Sequence, residues 1–221
     1  MALNLESQLR FYGAYHHDTV CDSSNPDKSI LLIFAQTNIA IHIIGVPTIL
    51  WTTFVLFSNS PTLIPLPEAV TIPYLDLNAG TIFCLLYCSL YVLLEPVAGT
   101  ALSILLLAGT AYGKYLVTIY GMTANYYAAG GFVVSWIAQF IGHGVFEGRA
   151  PALLDNIFQA FFLAPLFVWL EILFALGYRP ELKTRMEKLV AQDIAKYQKS
   201  KAEAVNGTAN GKALNGHAKQ S

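Results

Sequence analysis

Apolar residues in this chain fall into runs separated by short polar or proline-bearing breaks. Between residues 3 and 17, Leu5, Leu9, Tyr12 and His16 recur at i, i+4, i+7 and i+11, with Glu6, Gln8 and Arg10 on the other side. That spacing predicts an amphipathic helix. The stretch "CDSSNPDKS" reads as a turn-rich loop and is followed by the short apolar run "ILLIFAQ". From Asn38 to Phe57 the chain stays apolar for about 20 residues, enough to span a bilayer core of roughly 30 Å. Pro47 predicts a kink in that span. Residues 58–73 carry Pro61, Pro65, Pro67 and Pro73 and predict an extended loop. Further apolar segments cover 76–94, 97–120, 130–146 and 152–177, and "EPVAG" at 95–99 breaks the first of these from the second. Pro165 divides the last segment, which is expected to dip into the membrane and return, or to lie in its interface. Beyond Gly177 the chain turns basic in "YRPELKTRMEKL" and ends in "NGTANGKALNGHAKQS", a composition that predicts disorder.

The pattern predicts an all-α, polytopic integral membrane bundle of about four to five apolar segments, preceded by the amphipathic helix. Residues 1–182 form the expected membrane-embedded catalytic domain and 183–221 a basic tail. Composition agrees, since 55% of residues are hydrophobic and 12% charged, about half the charge of an ordinary soluble domain. A net charge of −1 provides no basic field, which excludes nucleic acid as a partner. Cys21, Cys84 and Cys88 lack metal-site spacing, and the latter two read as small packing residues. The N-terminus has no basic stretch followed by a short apolar core, so no cleavable signal peptide is expected. If the first four segments each cross, His42 and His143 share one membrane face. The Lys/Arg excess beyond residue 179 favours the cytosolic side for the site and both termini.

Polar residues inside the apolar runs carry the candidate chemistry. Ser135, Gln139, His143 and Glu147 recur every four residues, a polar line on one helix face. Ionisable groups at membrane depth are costly and mark either a site or a buried pair. As a site, His143 and Glu147 offer imidazole and carboxylate to Fe(II), Mn or Zn. As a structural corner, His143 hydrogen-bonds Glu147 and Glu147 pairs with Arg149 near the headgroups. Gly142, Gly144 and Gly148 either leave room for close approach or end the helix. His16 and His17 close the amphipathic helix, and His42 follows Asn38 by four; these histidines and His143 sit at membrane-boundary positions, whereas His217 lies in the tail. The HxxxH and HxxHH boxes, HExxH, GxSxG and a P-loop are all absent, as are paired mid-span histidines for a haem. Lys114 either marks a polar cavity or snorkels and pairs internally beside Tyr112, Tyr115 and Tyr120.

Three blocks, "LRFYGAYHHD", "NIAIHIIGVPTIL" and "WIAQFIGHGVFEGRAPALLDNIFQAFFLAPLFVWLEILFALGY", together resemble the fungal endoplasmic reticulum 2-hydroxy fatty acid dioxygenases over most of residues 7–182. The family pattern falls on Tyr12, His16, His17, Asn38, His42 and Gly45-Val46-Pro47, then on Gln139, Gly142-His143, Phe146-Glu147 and the run from Arg149 to Leu153. The resemblance implies Fe(II)- and O2-dependent α-oxidation, in which a long-chain 2-hydroxy fatty acid is shortened by one carbon during phytosphingosine degradation. It implies His16 or His17, His42 and His143 as iron ligands, with Glu147 as a further ligand or as the residue orienting one. Arg149 is expected on the substrate carboxylate or paired with Glu147, and Tyr12, Asn38 and Gln139 beside the substrate. Membrane lipid surrounds the spans and accommodates the alkyl tail. One departure is "CDSSNPDKSILLIFAQT" at 21–37, which separates the doubled histidine from Asn38 and reads as part of an inserted loop, 18–37, or is itself a retained intron. Two other classes stay open on the residues alone: a non-enzymatic membrane lipid-binding or scaffold protein, and a zinc membrane hydrolase.

Overall fold

The computed structural model describes Leu5 and residues 28–147, 159–192 and 195–196, with side chains for Leu5, 37–144, 161–192 and 195–196. Helix α1 runs Lys28–Phe57, α2 Ala79–Leu94, α3 Pro96–Tyr120 and α4 Met122–Ile141, which a π-helical turn Gly142–Glu147 extends. A second π-turn, Gln159–Leu163, leads into α5 Ala164–Ala175, and α6 follows at Pro180–Gln192. The proline-rich connection from α1 to α2 holds a 3-10 turn, Glu68–Val70, and an isolated antiparallel bridge between Ile64 and Leu77. No strand occurs among the described residues, and the expected all-helical bundle is what forms. Of the expected N-terminal helix only Leu5 is described, helical and packed on the core.

Helix α1 is apolar all round, so it occupies the centre and packs on α2, α3, α4 and α5. It begins earlier than expected. Residues 28–37, assigned above to the inserted loop, are helical, and no proline interrupts the chain between Pro26 and Pro47. Against α1, helix α3 presents Gly109 and Gly113, four residues apart, whose bare backbones receive Trp51 and Val55. The Trp51 indole donates to the Gly109 carbonyl at 2.7 Å.

The turns explain the other boundaries. Asn78 caps α2, its side-chain oxygen accepting from the Thr81 N–H at 3.0 Å. Glu95 alone separates α2 from α3, and Pro96 opens α3 where its missing N–H costs nothing. Gly121, at φ 53°, is the whole connection between α3 and α4. Helix α4 therefore starts at Met122 rather than near 130, since one glycine suffices where "GMTANYY" reads as a longer polar link.

Pro165 does not divide the last segment. It sits in the first turn of α5, where it leaves the carbonyl of Phe161 without its helical donor. Tyr87 of α2 supplies a donor in its place, to the Phe161 carbonyl at 3.0 Å, and Tyr91 donates to the neighbouring Phe162 carbonyl at 2.9 Å. Around them the core gathers Phe54, Leu163, Leu166 and Leu170. The fold-back comes later, where α5 and α6 meet at 117° through Gly177 (φ 88°) and Arg179 (φ 46°). Arg179 pairs with buried Glu95, and the Tyr178 hydroxyl donates to the same carboxylate at 2.9 Å. Burial, reinforced by that bond, pushes the Tyr178 phenol up. The beginning of the expected disordered tail is thus an ordered amphipathic helix. Leu182, Met186 and Val190 recur every four residues and are buried under a polar outer face.

Among the described residues, Thr37–Phe57 and Pro96–Tyr120 are long and apolar enough to cross a membrane, or three spans if the bent α5–α6 pair counts as one. The expected four to five shrink for identifiable reasons. Helix α2 has 16 residues, about 24 Å against a core of roughly 30 Å, and α4 carries Asn125, Tyr126, Tyr127 and Gln139. Leu93, Val97, Ile104, Leu105, Val134 and Phe140 nonetheless face outward, an apolar exterior suited to lipid. Lys114 pairs internally, donating to the Ser58 carbonyl at 2.8 Å just beyond the C-terminus of α1. Cys84 and Cys88 are buried packing residues.

Replacing Tyr87 by Phe should leave the Phe161 carbonyl unsatisfied and cost about 1–3 kcal/mol, read as a lowered thermal midpoint in detergent; an unchanged midpoint would show that the carbonyl finds another partner.

Candidate functional site

The polar line of α4 meets the polar start of α1. The two helices run antiparallel, so that Gly131 faces Thr52, Gln139 faces Gly45, and Gly142 faces Asn38. Asn38, His42, Ser135, Gln139 and His143 are all buried. The i+4 spacing expected from Ser135 to His143 therefore marks an inward face. At Gly142 the α-helical ladder widens into the π-turn that carries His143. Such turns concentrate at functional positions because they re-aim side chains within a continuous helix. The π-turn was not expected from the sequence; the glycines on either side of His143 were its only signal.

His42 Nδ1 lies 2.9 Å from the carbonyl oxygen of Asn38. A carbonyl only accepts, so Nδ1 carries the proton and neutral His42 holds its lone pair on Nε2. That nitrogen is 3.2 Å from Nε2 of His143, the two rings meeting edge-on at 82°. The arrangement serves a hydrogen bond in which His143 donates. It also serves a shared metal ion, because two nitrogens each about 2.1 Å from an ion lie about 3.0 Å apart at a right angle and about 3.4 Å at the tetrahedral angle. The Nδ1–H bond to a backbone carbonyl is the support that a metal-bound histidine ordinarily has. The residues present fit a metal.

Of the other candidate residues, Asn38 and Gln139 join this contact. The Gln139 amide donates to the Ile41 carbonyl at 3.1 Å, so at least one of its donors is engaged between the helices. The backbone of Glu147 belongs to the π-turn while its side chain lies outside the described residues, as do His16, His17, Tyr12 and Arg149. No group of three or more metal-ligating side chains occurs among the described residues; His42 and His143 stand there as a pair. Sequence reading overlooked Gly45 as a contact residue, although a glycine within an apolar span signals close approach.

Comparison with known proteins adds to this geometry. The family model described as 2-hydroxy-palmitic acid dioxygenase Mpo1-like matches residues 35–176. The 2-hydroxy-palmitic acid dioxygenase MPO1 of Saccharomyces cerevisiae is 37% identical over 187 residues, which cover 84% of this chain and 88% of the yeast protein. No solved structure matches.

His42→Ala and His143→Ala should be energetically coupled by about 0.5–3 kcal/mol, so that the double variant unfolds close to the less stable single variant; additive losses would mean that the rings do not interact.

Proposed function

Since the chain belongs to the 2-hydroxy-palmitic acid dioxygenase Mpo1-like family, we propose that it is an endoplasmic reticulum membrane dioxygenase that uses Fe(II) and O2 to shorten long-chain 2-hydroxy fatty acids by one carbon, in phytosphingosine degradation. The observation that carries the reading is the His42–His143 pair, with ring nitrogens 3.2 Å apart. His42 and His143 would hold iron together with His16 or His17, and Glu147 would complete or orient the set, a mixture of imidazole and carboxylate that suits Fe(II). Iron bound there would supply O2 binding and activation for cleavage between C1 and C2 of the acid.

The chain's own contribution is binding, orientation and exclusion of water. By accepting the Nδ1–H, the Asn38 carbonyl selects the neutral tautomer whose lone pair is on Nε2 and fixes the ring. Gln139 holds α4 against the peptide that precedes His42. Arg149 is the proposed partner of the substrate carboxylate through two parallel N–H donors. The apolar helix faces would take the alkyl tail, where each buried CH2 contributes about 0.8 kcal/mol, so chain length dominates affinity. The basic residues of α6 and the segment before it, Arg179, Lys183, Arg185 and Lys188, favour a cytosolic position for this end of the bundle.

Purified chain supplied with Fe(II) and 2-hydroxypalmitic acid should consume O2 and yield pentadecanoic acid, and lose that activity on chelation. Alanine at His16, His42 or His143 should each abolish it; full activity in any one variant removes that residue from the ligand set, and absence of O2 uptake by the wild type refutes the reading.

A further inference from the structure

Two glycines stand where the α1–α4 contact is tightest, and both would collide with an amide if they carried a methyl group. A Cβ at Gly45 would run into the Gln139 amide nitrogen, and one at Gly142 into the Asn38 side-chain oxygen. The relation is reciprocal: α1 offers a notch to a side chain of α4, and α4 returns one to a side chain of α1. The two notches bracket the His42–His143 contact.

A helical side chain lies over the turn that precedes its own Cα. A side chain at 45 would therefore cover the Ile41 carbonyl. Glycine leaves that oxygen open to accept from Gln139 at 3.1 Å while it also serves the helix, since a carbonyl has two lone pairs. Ile41 and His42 share a peptide unit, so the bond pins the plane from which His42 departs. On the other side, Gly142 directly precedes His143 and seats the side chain of Asn38, whose own carbonyl receives the His42 Nδ1–H. Glycine alone does not make a notch. At Gly131, on the same face of α4, a methyl would meet Thr52 at an ordinary 3.5 Å, and at Gly144 nothing lies within 4 Å.

We infer that Gly45 and Gly142 are positioning residues, paired notches that seat the amides of Gln139 and Asn38 on either side of the histidines and so set the spacing of the two imidazoles. The functional consequence rests on the metal-binding reading above; the geometry does not.

The test titrates purified, metal-free chain with Co(II). Gly45→Ala, Gly142→Ala and Gln139→Ala each weaken binding about 10–100-fold, the range for residues that support metal ligands, while Gly131→Ala binds as the wild type does. The double variant Gly45→Ala/Gln139→Ala is no weaker than the worse single one, because a notch without a guest has nothing to exclude. Wild-type affinity in Gly45→Ala, or losses that add in the double variant, overturns the inference. The methyl at 45 meets only the end of a flexible side chain, so that variant decides the matter even where Gly142→Ala fails to fold. If the wild type itself binds no Co(II), the metal reading fails, and the notches are judged on the ring-nitrogen NMR signals of His42 and His143 in the metal-free chain. Signals that move in Gly45→Ala but not in Gly131→Ala uphold the inference, and unmoved signals overturn it.

Discussion

Backbone carbonyls accepting from side chains of neighbouring helices hold this bundle together. In an apolar interior no water is available to satisfy a polar group, so each one must be matched from within. Pro165 strips the Phe161 carbonyl of its helical donor, and Tyr87 reaches across from α2 to take it, while Tyr91 donates to the carbonyl of Phe162 beside it. Elsewhere a carbonyl left accessible by a glycine accepts a second bond, Trp51 to Gly109 and Gln139 to Ile41, and the Ser58 carbonyl past the end of α1 accepts from Lys114. Trp169 does the same for Ala98 at 3.0 Å. Packing alone would allow the helices to slide or rotate. These bonds fix register, because each names one donor and one oxygen.

The histidine pair depends on the same constraint. His42 is useful only with its lone pair turned towards His143, and a carbonyl of its own helix decides that. His143 continues the inward face of Ser135 and Gln139 and is carried by the π-turn that begins at Gly142. The site lies where α4 widens into the turn that carries His143, with Pro47 five residues beyond His42 on α1.

Much of this was legible in the sequence for a simple reason. Apolar runs and the four-residue repeat of Ser135, Gln139 and His143 are local patterns, and they located the helices and the inward face. What escaped depends on partners far away in the chain. Nothing near Pro165 says that two tyrosines more than seventy residues earlier make it harmless. Helix α6 was hidden by its charge, since five charged residues between 181 and 188 obscure the stripe of Leu182, Met186 and Val190. The fold-back was placed at the proline, the commonest breaker, whereas the chain turns at Arg179, whose positive φ is sustained by the ion pair with Glu95. Gly45 entered the sequence reading only within the Gly45-Val46-Pro47 pattern and Gly109 not at all, because a notch is visible only when its guest is known.

The tyrosines above Pro165 also bear on how such a chain can diverge. A proline at that position is acceptable only while hydroxyl groups wait over the carbonyls it disturbs. Once a substitution restored the backbone N–H at 165, the hydroxyl of Tyr87 would lose its task and phenylalanine would serve there equally well. The reverse order, phenylalanine first, passes through a strained intermediate. Descent through this fold therefore has a direction built in at two distant positions, and drift can cross between their two states by one path more easily than by the other.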